Sequence, residues 1–206
     1  MIEICEMTRC DAAAVADLHY ECINKGFLVK LGRRFLRQLY LGIAADAESC
    51  VWVAQSAADE GSASILGFCA YSRNVAGLYT RVIKARFFSM GFASLPYSLN
   101  PLVLKEVFET LRYPAKQGEK QLPPAEILSI AVSDRARGGG VGRKLLDAAL
   151  VRARADQITA IKVLAGAKLD SANRFYPACG FQKADEIVQH GEVLNVYVRE
   201  IDSLPA

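Results

Sequence analysis

Arg137-Gly138-Gly139-Gly140-Val141-Gly142 puts four glycines into five consecutive positions, directly ahead of an amphipathic stretch. A structural turn needs one glycine, or two. Four of them leave a run of main-chain N–H groups uncovered and free to converge on one anion. The positive end of the helix that follows adds to the attraction. A diphosphate is the natural ligand of such a nest. Two common nucleotide motifs do not fit. A P-loop ends in Gly-Lys and a hydroxyl residue, whereas Gly142 is followed by Arg143 and Lys144 by Leu145. The dinucleotide fingerprint GxGxxG fails as well, because Arg143 stands where its last glycine belongs. A nucleotide-dependent enzyme is therefore disfavoured.

The elements around this loop set its context. Glu126 to Ser133 reads as a strand, Val141 to Asp156 as an amphipathic helix and Ala160 to Ala165 as a second strand. A short helix around Ser171 to Tyr176 leads to strands near Phe181 and from Val193 to Arg199. Strands alternating with helices imply parallel pairing in the middle of the sheet. Upstream, Ile2 to Met7 alternates as a half-buried strand, and Thr8 to Asp11 resembles a capping box in which Thr8 accepts from the first turn. Val15, Leu18, Cys22 and Ile23 then follow at helical spacing. A second helix carries Phe35, Leu36, Leu39, Tyr40 and Ile43 on one face, with Arg33, Arg34 and Arg37 opposite. Cys50 to Gln55 and Ile65 to Ser72 form a hairpin around the polar turn Ser56 to Ser62. The stretch 74–124 is expected to be a helical insertion with two helices, the second opened by Asn100 and Pro101. It is rich in aromatic residues and ends in a polar, proline-containing loop, Tyr113 to Pro124.

Arg137-Gly138-Gly139-Gly140-Val141-Gly142 resembles the (Q/R)xxGx(G/A) loop of the GNAT acetyltransferase superfamily. Ala125-Glu126-Ile127 with Ala131-Val132-Ser133 is similar to the strand before that loop in GNAT lysine acetyltransferases. Ala172, Phe175-Tyr176 and Gly180-Phe181 resemble the family's Ax(x)(L/F)Yxxx-GF element. The likeness is close over the C-terminal half and rests on the order of elements elsewhere. It implies an α/β fold: a mixed, mostly antiparallel sheet with a central parallel, splayed strand pair and flanking helices, as one domain over 1–206. It also implies an N-acetyltransferase that uses acetyl-CoA and no metal.

Site residues carry over position by position. Arg137, Gly138, Gly139, Gly140, Val141, Gly142 and Arg143 match the loop that grips the coenzyme A pyrophosphate. Ile130, Ala131 and Val132 match the splayed strand that pairs with the pantetheine arm, and the Ile130 amide is placed to polarise the thioester carbonyl. Most alkyl amines are protonated at neutral pH, so a base is expected, and Glu126 matches the family's catalytic glutamate. Tyr176 matches the tyrosine that protonates the leaving thiolate. Asn173 lies one helical turn before Tyr176 and is a candidate for bonding the cofactor or for capping the short helix. Pro177 departs from the family pattern and is expected to disfavour helix at Tyr176.

The chain has 206 residues and a net charge of +3, and just over half of its residues are apolar. Those values describe a globular protein and give no support to a nucleic-acid partner. Its six cysteines are scattered, without a CxxC pair, and only His19 and His190 could join a metal site, so free thiols in a reducing cytosol are expected. The N-terminus has no signal-peptide pattern and the apolar stretches are too broken to span a bilayer, which gives a cytoplasmic expectation without membrane association. The acceptor is expected to be an amine on a small molecule or a peptide, and the insertion to line a pocket or a homodimer contact. Two rival readings are a non-catalytic acyl-CoA-binding module and an interaction protein that uses the aromatic insertion.

Overall fold

Among the described residues, the alternating and apolar runs become one seven-stranded sheet, built from β1 (Ile2–Glu6), β2 (Ser49–Ser56), β3 (Ser64–Ser72), β4 (Ala125–Val132), β5 (Ala160–Gly166), β6 (Gln182–Gln189) and β7 (Glu192–Glu200). The structure, a computed structural model, describes residues 2–23, 27–56, 64–94 and 122–201, without the side chains of Ile83 and 86–94. The strand order is β1-β2-β3-β4-β5-β7-β6. Every neighbouring pair is antiparallel except β4–β5 at the centre, the parallel pair expected from the sequence.

That parallel pair is short. Ala125 pairs with Ile161, Glu126 with Lys162 and Ile127 with Val163, and there the ladder stops although both strands run on. On the other side of β4, Tyr71 pairs with Ile127 and Ala70 with Ser129, so Leu128 has no residue opposite it. A bulge of this kind bends its strand and increases the local twist. From Leu128 onward β4 therefore leans away from β5, and a V opens between them.

Among the described residues the helices are α1 (Ala12–Cys22), α2 (Phe27–Lys30), α3 (Gly32–Ala45), α4 (Val75–Ser94), α5 (Val141–Ala155) and α6 (Asp170–Ala178). They cover both faces of the sheet. On one face the apolar stripe of α5 (Leu145, Leu146, Ala149, Leu150) packs with Ile127, Ile161 and Val163. On the other, α1, α3 and α4 bury Val15, Leu36, Leu39 and Leu78 against Val53 and Phe68. The bulge also changes which residues face where. Ala125 and Ile127 lie on the α5 face before it, Ile130 and Val132 after it, and Ala131 turns to the opposite core.

Two local expectations are corrected. The Asp11 carboxylate accepts from both the N–H (2.8 Å) and the hydroxyl (2.7 Å) of Thr8, the reverse of the expected cap, because helix α1 begins only at Ala12. Pro177 does not end its helix at Tyr176. It sits within the last turn of α6, where Arg143 and Arg199 donate to the terminal carbonyls of Ala178 (2.5 Å) and Cys179 (2.6 Å). Such guanidinium caps satisfy a helix end that no longer has N–H partners.

The insertion leaves the sheet and returns to it at one point, since the N–H of Val75 donates to the carbonyl of Pro124 (3.1 Å). Its first helix is α4. The second expected helix at Asn100, the turn 57–63 and most of the proline loop lie outside the described residues, as do the side chains of Phe87, Phe88, Met90 and Phe92 and the residues Tyr97 and Phe108.

His19 lies under the sheet, 2% exposed, with its ring stacked on Phe68. Burial lowers its pKa to about 4. The unfolded chain takes up the imidazole proton near pH 6.5, so the neutral form's contribution is full above that pH and is lost as pH falls toward 4. The loss amounts to about 3 kcal/mol of folding stability. Urea unfolding at pH 7, 5.5 and 4 checks this, and His19→Gln is expected to flatten the dependence. Parallel curves for the two proteins contradict it.

Candidate functional site

The mouth of the V and the glycine loop adjoin. After β4, a turn of 3₁₀ helix at Asp134–Ala136 delivers the chain to Arg137 and the glycines. Gly138 and Gly140 have φ of +79° and +74°, the left-handed region that side chains resist. Nothing lies within 4 Å of a Cβ built on either one. No side chain caps α5, whose N-cap is Gly140 itself, so the first-turn N–H groups of the helix have no partner in the helix. A cleft of about 350 Å³ opens here, lined by Val132, Ala136, Arg137, Gly138, Gly140, Val141, Gly142, Arg143 and Phe175. Open left-handed glycines and an uncapped helix start fit an elongated ligand with a diphosphate.

Within β4 the orientation of the main chain decides which groups are available. Ser133 donates to the Leu66 carbonyl (2.8 Å), so Ser133 faces β3. By the two-residue alternation of an antiparallel ladder, Ala131 also faces β3, where it pairs with Phe68. Ile130 and Val132 turn their N–H and C=O toward β5, across the V. Two of the three strand residues thus present main-chain groups to the opening, and Ala131 does not. The Val132 carbonyl accepts from Arg137 Nε (3.2 Å), and the Cys22 thiol lies 3.8 Å away. Burial pushes the Cys22 thiol up, and the Arg137 charge pulls it partly back.

Glu126 lies on the middle rung of the short parallel ladder, one residue before its last pair, and is 6% exposed. Its register partner Lys162, 0% exposed, holds Nζ 3.4 Å from Glu126 Oε2 and also donates to the Pro123 carbonyl. Burial lowers the Lys162 pKa, and the carboxylate acts in the other direction. Tyr79 of α4 is raised by burial and by the Glu126 charge. Sequence reasoning singled out neither Lys162 nor Tyr79. A lysine inside the apolar run Ala160-Ile161-Lys162-Val163 was the available signal, but only the register sets it against Glu126.

Tyr176 is buried in the α5-side core, ringed by Phe175, Phe181 and Tyr197. Burial raises its pKa, and the Cys69 and Cys179 thiols add to the shift. The neighbouring Phe175, not Tyr176, lines the cleft. Asn173 has no capacity left for a ligand. Its Nδ2 donates to the carbonyls of Gly166 (3.0 Å) and Ala167 (3.1 Å), and its Oδ1 accepts from Asn195 (2.9 Å) and Tyr197 (3.0 Å). It braces the end of β5 against β7.

A mostly antiparallel sheet with one central parallel pair and flanking helices is the fold of solved GNAT-family acetyltransferases. Residues 106–183 match the family model of the acetyltransferase (GNAT) domain. Solved structures give the same fold over nearly the whole chain. The ribosomal-protein-S18-alanine N-acetyltransferase of Escherichia coli is 12% identical at a TM-score of 0.59, covering 100% of this chain and 97% of its own. Arabidopsis thaliana NAA60, in complex with a bisubstrate analogue, is 12% identical at 0.62, covering 98% and 100%. An N-acetyltransferase from Staphylococcus aureus Mu50 is 15% identical at 0.61, covering 98% and 99%. At these identities the likeness is one of fold. No curated protein matches the sequence. Among the described residues no helix is long and apolar enough to cross a membrane, and no group of three or more His, Cys, Asp or Glu is placed to hold a metal.

Proposed function

We propose that the protein transfers the acetyl group of acetyl-CoA to a primary amine of a small molecule or peptide, by direct attack of the amine on the thioester. The observation that carries this reading is the junction of an open glycine nest with a strand edge whose Ile130 and Val132 main-chain groups face the V. Arg137 to Arg143 hold the diphosphate, chiefly through main-chain N–H groups at the start of α5. Ile130 and Val132 pair with the amides of the pantetheine arm, once Arg137 yields the Val132 carbonyl. The Ile130 amide donates to the carbonyl oxygen as it takes up charge. Glu126 accepts the proton that the amine sheds, directly or through water. Tyr176 supplies a proton to the departing thiolate. Asn173 acts by position, keeping the end of β5 and helix α6 where the V needs them. The segment 74–124 borders the acceptor side within a single domain, and the protein acts in the cytoplasm.

One observation favours a second reading. Glu126 is buried against Lys162 and Tyr176 lies in the core, an arrangement that suits a non-catalytic acyl-CoA-binding module. Calorimetry with acetyl-CoA, then release of free CoA across a panel of small amines and peptides, separates the two. Binding with amine-dependent release supports the transferase. Binding without release supports the module, and no binding overturns both.

A further inference from the structure

Three side chains form a hydrogen-bonded row on the face of the sheet opposite α5. His19 Nδ1 lies 2.6 Å from the Tyr40 hydroxyl, which in turn donates to Ser129 Oγ at 3.3 Å. His19 and Tyr40 are almost completely buried, at 2% and 1% exposure, and Ser129 is the half-exposed end of the row. The other ring nitrogen, His19 Nε2, is buried and finds no hydrogen-bond partner among the described residues.

That unpartnered nitrogen sets the direction of the row. Burial keeps the imidazole neutral, so it carries one proton. A buried N–H without a partner is the costlier of the two orphans, which places the proton on Nδ1. His19 then donates to Tyr40, and the phenol proton is directed to Ser129 Oγ. The Ser129 hydroxyl hydrogen is left to point out of the row, and each bond behind it polarises the next.

Ser129 immediately precedes Ile130, the residue whose amide faces the V. Its Oγ and the Ile130 nitrogen are joined through only a few bonds, so both donors reach the same small region. The glycine nest stands at the start of α5, on one face of the sheet, and Ser129 opens on the other. Resting on the acetyl-transfer reading, we infer that Ser129 is a further catalytic donor, hydrogen-bonding the thioester oxygen beside the Ile130 amide, with Tyr40 and His19 as its positioning residues. As the amine nitrogen forms the C–N bond, the carbonyl oxygen takes up negative charge. The C–S electron pair then leaves with sulfur. Ser129 lends its hydrogen bond throughout and keeps its proton.

The test is steady-state kinetics on wild type, Ser129→Ala, Ser129→Thr, Tyr40→Phe and the Ser129→Ala/Tyr40→Phe double variant, with melting temperatures alongside. Ser129→Ala is expected to lower kcat about 10- to 100-fold with KM for acetyl-CoA unchanged. Ser129→Thr keeps the hydroxyl and most of the rate. Tyr40→Phe lowers kcat severalfold, and the double variant is no slower than Ser129→Ala alone, as members of one unit behave. A Ser129→Ala enzyme with wild-type kcat, or losses that simply multiply, overturns the inference. If Tyr40→Phe fails to fold, the contrast between alanine and threonine at 129 decides it. Wild type without turnover on any amine removes the transferase reading itself, and this inference with it. Normal wild-type turnover with an unaffected Ser129→Ala removes only the latter.

Discussion

Replacing Gly138 and Gly140 together by valine is expected to weaken acetyl-CoA binding about 100-fold or more while leaving the protein folded. Both glycines have positive φ, and both have open space where a Cβ goes, so the damage is conformational and not steric. A β-branched residue in that region costs about 1–3 kcal/mol at each position. The loop relieves this by moving to ordinary φ, and the N–H groups that converged on one anion then point apart. Because the loop is exposed and packs against little, the melting temperature falls only slightly. Gly139 provides the control. Its φ is ordinary and its nearest neighbour is a carbonyl at 3.6 Å, so Gly139→Ala is expected to change affinity by no more than about twofold. Calorimetry with acetyl-CoA measures all three proteins. Unaltered affinity in the folded double variant contradicts the assigned diphosphate site.

Glu126→Gln is expected to lower kcat about 100-fold or more with acetyl-CoA affinity unchanged, since the carboxylate is not among the residues that line the cleft. The same substitution has a second, physical signature. Lys162 is fully buried and its pKa is already lowered by burial, with Glu126 holding it up. Removing the carboxylate charge lowers it further. A lysine whose folded pKa is depressed binds fewer protons folded than unfolded, so the variant gains stability as pH rises toward the free-lysine value. Urea unfolding from pH 7 to 10 is expected to show a steeper rise for Glu126→Gln than for wild type. Lost activity without that change in slope leaves Glu126 acting apart from Lys162. The reverse marks the pair as purely structural.

The loop, the helix behind it and the central parallel pair were legible in the sequence because each is written in local terms: glycine spacing, a 3.6-residue stripe, and strand alternating with helix. The resemblance supplied the splay. The residues of β4 do not reveal it alone, because Leu128 looks like any other apolar position and the bulge exists only relative to Tyr71 and Ala70. The same holds for Lys162, whose partner is a matter of register. Tyr40 read as one more core residue of an amphipathic helix, and His19 as an unlikely metal ligand. Their joint meaning depends on a contact between helices and strand that no local pattern encodes. Asn173 was read by its place in the helix, yet its four bonds reach β5 and β7 from a distance in the chain. Local patterns carried the glycine loop and its helix, and tertiary pairing decided the surroundings of Glu126 and Tyr176.

The main-chain bond between Val75 and Pro124 has a consequence for how such a protein diversifies. With its two ends stitched together at the head of β4, the intervening segment is an excursion whose length makes no demand on strand register. Lengthening a closed excursion of this kind costs only slowly growing entropy. A change of length between those two residues therefore leaves the pairing of β3 with β4 undisturbed.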